Sequence, residues 1–119
     1  MNYDDSNIFA KILKGEIPCE KIYEDEEVLC FKDIKPVASK HVLIIPKEKY
    51  ISFDDFILNA DQKSITSFFK KIKIIADKLD INNNGYRIIT NHGPNANQEV
   101  PHFHIHLLGG ENLRGIKGS

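Results

Sequence analysis

His102-Phe103-His104-Ile105-His106 alternates an imidazole with a bulky apolar side chain, and Leu107-Leu108 and Gly109-Gly110 follow. That is the period of a half-buried β-strand. Side chains on a strand alternate between faces, so Phe103, Ile105 and Leu107 are expected on one face and the three histidines on the other. Three of the chain's five histidines then stand in one row, which packing alone does not call for.

Three readings fit such a row. The histidines can simply occupy a solvated strand face. Neutral imidazole is also a common zinc ligand. Neighbours at i and i+2 lie about 6.6 Å apart along a strand, whereas tetrahedral ligand nitrogens must come within about 3.5 Å of one another. Two adjacent histidines can converge, but three on one straight strand cannot, so neither a metal nor another cofactor is expected. The third reading is nucleophilic and acid–base chemistry on a phosphate, where one imidazole attacks and its neighbours orient it and move protons. It uses the spacing as it stands.

The rest of the chain supplies the frame. At 119 residues, 41% hydrophobic and 28% charged, it reads as one soluble domain, with a core spanning about residues 6–110 and a glycine-spaced, flexible tail over 111–119. A formal charge of −1 offers no field for nucleic acid. No apolar run reaches membrane length, and the acidic start lacks the basic residues of a signal peptide. Cys19 and Cys30 form no framework and read as reduced thiols, so a cytoplasmic location is expected.

Ser6 is expected to cap a short helix closed by Gly15, with Ile8, Phe9, Ile12 and Leu13 as its apolar stripe. Lys21–Glu24 and Val28–Phe31 read as strands around the acidic turn Asp25-Glu26-Glu27. Asp33 reads locally as a turn carboxylate before Lys35-Pro36. His41 opens the apolar run Val42-Leu43-Ile44-Ile45, which suits a strand buried on both faces in the middle of a sheet. Asn59 is expected to cap the longest helix, with Gln62 reaching back. Ile65, Phe68, Phe69, Ile72, Ile75, Ala76 and Leu79 form its apolar face, and Asn82-Asn83-Asn84-Gly85 ends it. Tyr86–Asn91 reads as a strand leading into the irregular, polar loop His92–Asn97. His92 reads as a surface residue.

Gln98-Glu99-Val100-Pro101-His102-Phe103-His104-Ile105-His106-Leu107-Leu108 resembles the signature of the histidine triad superfamily, in which three histidines alternate with apolar residues. Gly109-Gly110 is similar to the ending found in the Hint branch, the nucleotide-binding nucleoside phosphoramidases. Ile8-Phe9 through Pro18, Phe31 through Ile34, and His41 through Pro46 resemble Hint segments in the same order, so the likeness covers about residues 6–110.

The resemblance implies an α+β, HIT-like fold: a mainly antiparallel five-stranded sheet with one long helix and a short N-terminal helix, the sheet extended across a homodimer. It implies a purine nucleotide (AMP, GMP or an adenosine phosphoramidate) as ligand, and hydrolysis of P–N bonds through a nucleotidyl-histidine intermediate. His104 would be the nucleophile, and His106 would contact phosphate and assist the leaving group. His102 and His41 would orient the nucleophile, His41 by hydrogen-bonding the first histidine of the triad. Ile8, Phe9, Ile17, Phe31 and Ile34 would hold the base and its surroundings, Asp33 the ribose, and Asn91, Asn97, Gln98 and Glu99 the phosphate and ribose. Cysteines flank the Ile-Phe pair in some zinc-carrying relatives, whereas Asn7 and Ala10 stand here. A nucleotide-binding regulatory protein with residual activity and a dinucleoside polyphosphate hydrolase are the alternatives.

Overall fold

The run that follows His41 forms the central strand of the sheet. The computed structural model describes residues 2–115, so residues 116–119 of the expected tail lie outside the described residues. Helix α1 is Ile8–Leu13, β1 Lys21–Glu24, β2 Val28–Lys32, β3 Lys40–Pro46, α2 Phe53–Asn59, α3 Gln62–Lys78, β4 Tyr86–Ile89 and β5 Ile105–Gly109. The five strands are antiparallel in the order β1-β2-β3-β5-β4. The chain is thus α+β with a five-stranded antiparallel sheet, as the resemblance implied.

Period-2 alternation divides the strands between two cores. Val28, Cys30, Val42, Ile44, Ile105 and Leu107 join Phe56, Phe68, Ile72 and Ile75 in one cluster under α2 and α3. Leu29, Phe31, Leu43 and Ile45 join Phe9, Ile12 and Leu13 in the other, under α1. β3 lies between β2 and β5 and is covered on both faces, so its apolar run is continuous rather than alternating. His41 has the parity of Leu43 and Ile45, and Asp33 that of Leu29 and Phe31. His106 is opposite in parity to Ile105 and Leu107. All three therefore belong to the α1 face.

Several local expectations are corrected. Asn7, not Ser6, caps α1 by accepting from the Ala10 amide, while the Ser6 hydroxyl donates to Asp4. Asn59 ends α2, a helix the periodicity did not show. Its cap is Ser52, and the cap of α3 is Asp61, whose carboxylate accepts from Ser64 N–H at 2.7 Å. Phe69 is 39% exposed, off the buried stripe of α3. That helix stops at Lys78, before the asparagine run, where Asp80 turns left-handed at φ 59°. Lys71 on α3 ties down the acidic turn through Asp25 at 2.9 Å and Glu27 at 2.6 Å.

The triad strand is shorter than its alternation suggests. Pairing of β3 with β5 ends at Ile44 opposite Ile105, so only His106 of the three histidines lies in a ladder. The His102–His104 segment runs on beyond it, with Phe103 N–H donating to Tyr50 O at 2.7 Å. Phe103 keeps the expected face and stacks on Phe56 with ring centroids 4.6 Å apart. β4 stops at Ile89 rather than Asn91, and the Thr90 hydroxyl then donates to His104 O at 2.8 Å. The glycine pair after β5 answers a steric need. A Cβ on Gly109 would meet Ile81 Cδ1 at 3.0 Å, and Gly110 turns left-handed against Lys40.

Candidate active site

A cleft of about 600 Å³ opens on the α1 face of the sheet. A second cavity, lined by Glu26, Tyr50, Phe56 and Phe68 among others, holds only about 80 Å³. The lining of the large cleft falls into two kinds of residue. Ile8, Phe9, Ile12, Ile17, Pro18, Phe31 and Leu43 are apolar, while Asp33, His41, Asn91, Asn97, Glu99, His104 and His106 carry the polar chemistry. Ile34, exposed at the mouth, also lines it. Of the expected residues, only His102 and Gln98 are outside the lining. Gln98 staples the loop instead, donating to Ile51 O at 2.8 Å and Val100 O at 3.0 Å and accepting from Gly93 N–H.

The histidines differ in what each ring nitrogen meets, and those partners assign the protons. His104 is 7% exposed, with its ring edge-on to Phe9 at 4.9 Å. Its Nδ1 is 2.7 Å from His102 O, an acceptor only, so Nδ1 bears the proton and Nε2 is a bare lone pair. Burial holds its pKa below the ordinary imidazole value. The nucleophilic form is therefore the resting form.

The other chain of contacts begins at the backbone. Val37 N–H donates to His41 Nδ1 at 3.1 Å, so the His41 proton must be on Nε2. That nitrogen is 2.9 Å from His106 Nδ1 and 3.3 Å from Asp33 Oδ2. Donation to His106 Nδ1 leaves the His106 proton on Nε2, the opposite tautomer to His104. Burial, then the adjacent His104 and His41 rings, push His106 down to about 4, and burial lowers His41 against the pull of Asp33. The expected bond from His41 to the first histidine is not made. His41 reaches the third, because register sets Leu43 opposite His106 with His41 two residues away on the same face.

His102 is fully buried and supports the site from behind. Its Nε2 donates to Pro46 O at 2.8 Å, and its Nδ1 is 2.6 Å from the Tyr3 hydroxyl. Burial holds its pKa at about 4. Tyr3, Val37 and Thr90 carried no sequence signal, since two of them act on backbone groups or through them and the third contacts its partner across 99 positions.

Folding also creates a metal-capable group that no single strand holds. Asp33, His41 and His106 come from three segments, and their ligand atoms lie within 4.8 Å of one another. The His41–Asp33 and His41–His106 separations suit tetrahedral zinc ligands. An ion there would need His41 Nε2 without its proton, and so would break both the His41–His106 hydrogen bond and the tautomer that accepts from Val37 N–H.

Residues 14–113 match the family described as HIT domain. The chain belongs to the HIT domain family. It is 46% identical over 114 residues to an uncharacterized HIT-like protein of Rickettsia prowazekii, covering 96% of this chain and 95% of that one. A HIT family hydrolase from Legionella pneumophila superposes with a TM-score of 0.85 at 36% identity, over 92% of this chain and 96% of the other. The histidine triad nucleotide-binding protein of Candida albicans gives a TM-score of 0.74 at 38% identity, over 86% and 73% of the two chains.

Proposed function

We propose that this HIT protein is a purine nucleotide-binding hydrolase that cleaves P–N bonds of nucleoside 5′-phosphoramidates. The observation that carries the reading is the pair of oppositely set imidazoles on one cleft wall, His104 with a bare Nε2 and His106 with a protonated one. An apolar slot beside them suits a purine, and Asp33 offers a carboxylate that accepts from ribose hydroxyls. The hydrolase and nucleotide-binding descriptions of the two solved relatives support the same class.

In the proposed reaction His104 Nε2 attacks the α-phosphorus and the P–N bond breaks. The bound phosphate's negative charge favours protonated His106, which takes its second proton on Nδ1 as the His41 Nε2–H turns to Asp33 Oδ2, 3.3 Å away. That imidazolium gives its Nε2 proton to the departing amine and returns to neutral, because an amine leaves poorly as an anion. Water then attacks phosphorus, His106 takes its proton, and the His104–phosphorus bond breaks to release the nucleotide. Asn91, Asn97 and Glu99 line the phosphate end, His41 sets the His106 tautomer, and Gln98 and His102 hold the surroundings.

Steady-state hydrolysis of adenosine and guanosine 5′-phosphoramidates beside dinucleoside polyphosphates tests the reading. Turnover of the P–N substrates at rates well above the P–O–P ones is expected, without added metal. Preferential cleavage of P–O–P compounds would overturn it. We also propose that the protein works as a homodimer in the cytoplasm. Ile88 on edge strand β4 and Ile74 on α3 are about half exposed and would be covered by a symmetric partner. A monomeric mass by light scattering at micromolar concentration would exclude the pairing.

A further inference from the structure

The segment before α1 crosses behind the triad and touches it at one point. We propose that Tyr3 is a positioning residue for the reaction: its hydroxyl locks the His102 ring, and through the packing of that ring on Phe9 it holds His104 against the His102 carbonyl with its proton on Nδ1. The inference rests on the proposed function only for its kinetic consequence, since the line of contacts exists without substrate.

Pro46 O accepts from His102 Nε2, so Nδ1 of the neutral ring is a lone pair that needs a donor. His102 is fully buried, and no solvent reaches it. The Tyr3 hydroxyl supplies the donor at 2.6 Å, with the two rings edge-to-face at 5.6 Å. A phenol is protonated at neutral pH, and burial raises the Tyr3 pKa further above its ordinary value. Phe9 stands edge-on to both His102, at 6.3 Å, and His104, at 4.9 Å, so a shift of one ring is felt by the other. Among the described residues the His102 carbonyl is the only hydrogen-bond partner of His104 Nδ1. The Phe103 amide, held by Tyr50 O, keeps that carbonyl fixed. If His102 tilts, Phe9 moves with it, the His104 ring turns off the carbonyl, and His104 is free to put its proton on the nitrogen that must attack.

The segment carrying Tyr3 is itself fastened. Lys49 lies 5.9 Å over the Tyr3 ring and pairs with Asp5 at 2.7 Å, and the Asn7 amide donates to Asp4 O at 2.8 Å. Thus a residue distant in sequence completes a line of contacts from the N-terminal segment through His102 and Phe9 to the nucleophile. An orienting partner of this kind typically affects rate by about 10- to 100-fold.

The test compares the wild type with Tyr3→Phe and Asp5→Asn, with imidazole ring nitrogens followed by 15N NMR and kcat and KM measured separately. Tyr3→Phe removes one oxygen and keeps the ring. It should move the His102 Nδ1 resonance to that of an unbonded lone pair and turn His104 from one tautomer into a mixture. It should also lower kcat about 10-fold or more while leaving KM within about twofold. Asp5→Asn loosens the segment but keeps the hydroxyl, so it should leave both the ring signals and kcat unchanged. Unaltered His104 nitrogens in Tyr3→Phe would overturn the proposal, whether or not kcat fell. So would an Asp5→Asn protein showing the same changes, since the effect would then belong to the segment and not to the hydroxyl. The NMR arm needs no turnover. A wild type inactive on phosphoramidates would fail the proposed function and still leave Tyr3 to be decided by the ring signals.

Discussion

The two faces of the sheet are made by the same strands and do opposite work. On the α3 face, Val28, Cys30, Val42, Ile44, Phe103, Ile105 and Leu107 are all buried among aromatic and aliphatic partners. On the α1 face the intervening positions include Asp33, His41, His104 and His106, set around a cleft. A single period-2 segment, Phe103 to Leu108, serves both. The difference teaches that burial on the second face is chemical as well as structural. Apolar packing lowers the pKa of His41, His104 and His106, keeping them neutral at rest, and a neutral imidazole has the lone pair that attack needs. Substitutions on one face should therefore act on stability and on the other on turnover.

The sharpest way to break this division is His104→Ala. The ring's one hydrogen bond goes to His102 O, which would then face the cleft and accept from water. Turnover of an adenosine phosphoramidate should fall by at least about 10⁴-fold, while nucleotide binding and the urea midpoint stay close to wild type. Rapid quench with labelled substrate should find the adduct on His104 in the wild type. Label on His102 or His106 would reassign the nucleophile.

Phe103→Ala is the converse. Phe103 is 1% exposed, stacked on Phe56 and 5.3 Å from the Phe68 ring. Its removal should cost about 3–5 kcal/mol in urea unfolding through lost transfer energy and a residual cavity. The protein that remains folded should keep kcat within a few-fold. A large fall in kcat at full occupancy of the folded state would show that the faces are not separable.

The next effect reads burial on the cleft side through pH. An unfolded histidine titrates near 6.5, whereas folded His102 does so at about 4. Between these values the unfolded chain binds more protons, so unfolding free energy falls as pH falls. The contribution is fully present above about pH 6.5, declines below it and is lost below about 4. From pH 7.5 to 5 the loss should be on the order of 2 kcal/mol from His102 alone. Urea melts across that range should flatten in His102→Asn. An equal slope in the variant would place the proton uptake elsewhere.

Much of this architecture was legible because it is periodic. The alternation at Phe103, Ile105 and Leu107 and the unbroken run of β3 assign faces by parity, and the 3.6-residue spacing assigns α3. What was not legible depends on choices among near-equivalent groups. Asn59 and Asp61 are both good caps two residues apart, and tertiary packing of Phe56 made the first the end of α2. The strand limit at Ile105 depends on Tyr50 O taking the Phe103 amide, a contact across 53 positions in sequence. Within the site, the triad pattern pointed to histidines of which two line the cleft, and the resemblance placed Asp33 and the Asn91–Glu99 loop beside them. The sequence could not show that His41 contacts His106 rather than His102, nor that Asp33 joins them, because both follow from cross-strand register.

Asp33→Asn has the smallest expected effect and separates two roles that the geometry brings together. The carboxylate stands 3.3 Å from His41 Nε2 and 4.0 Å from His106 Nδ1, and its other oxygen accepts from Lys35 N–H at 2.8 Å. Asparagine keeps an oxygen for the Lys35 amide, so the loop and the urea midpoint should hold. It accepts less strongly than a carboxylate from a pair of ribose hydroxyls, a difference of about 1–2 kcal/mol. If the carboxylate serves the nucleotide, KM should rise about 10-fold with kcat nearly unchanged. If it serves the His41–His106 line, kcat should fall and KM hold, because the His41 proton would lose a competing acceptor that tunes its donation. Zinc gives an independent reading of the same atom. With Asp33, His41 and His106 as ligands, the ion should inhibit the wild type by displacing that hydrogen bond, and Asp33→Asn should weaken the inhibition. Inhibition that persists undiminished in the variant would put the zinc on the histidines alone and leave Asp33 to the nucleotide.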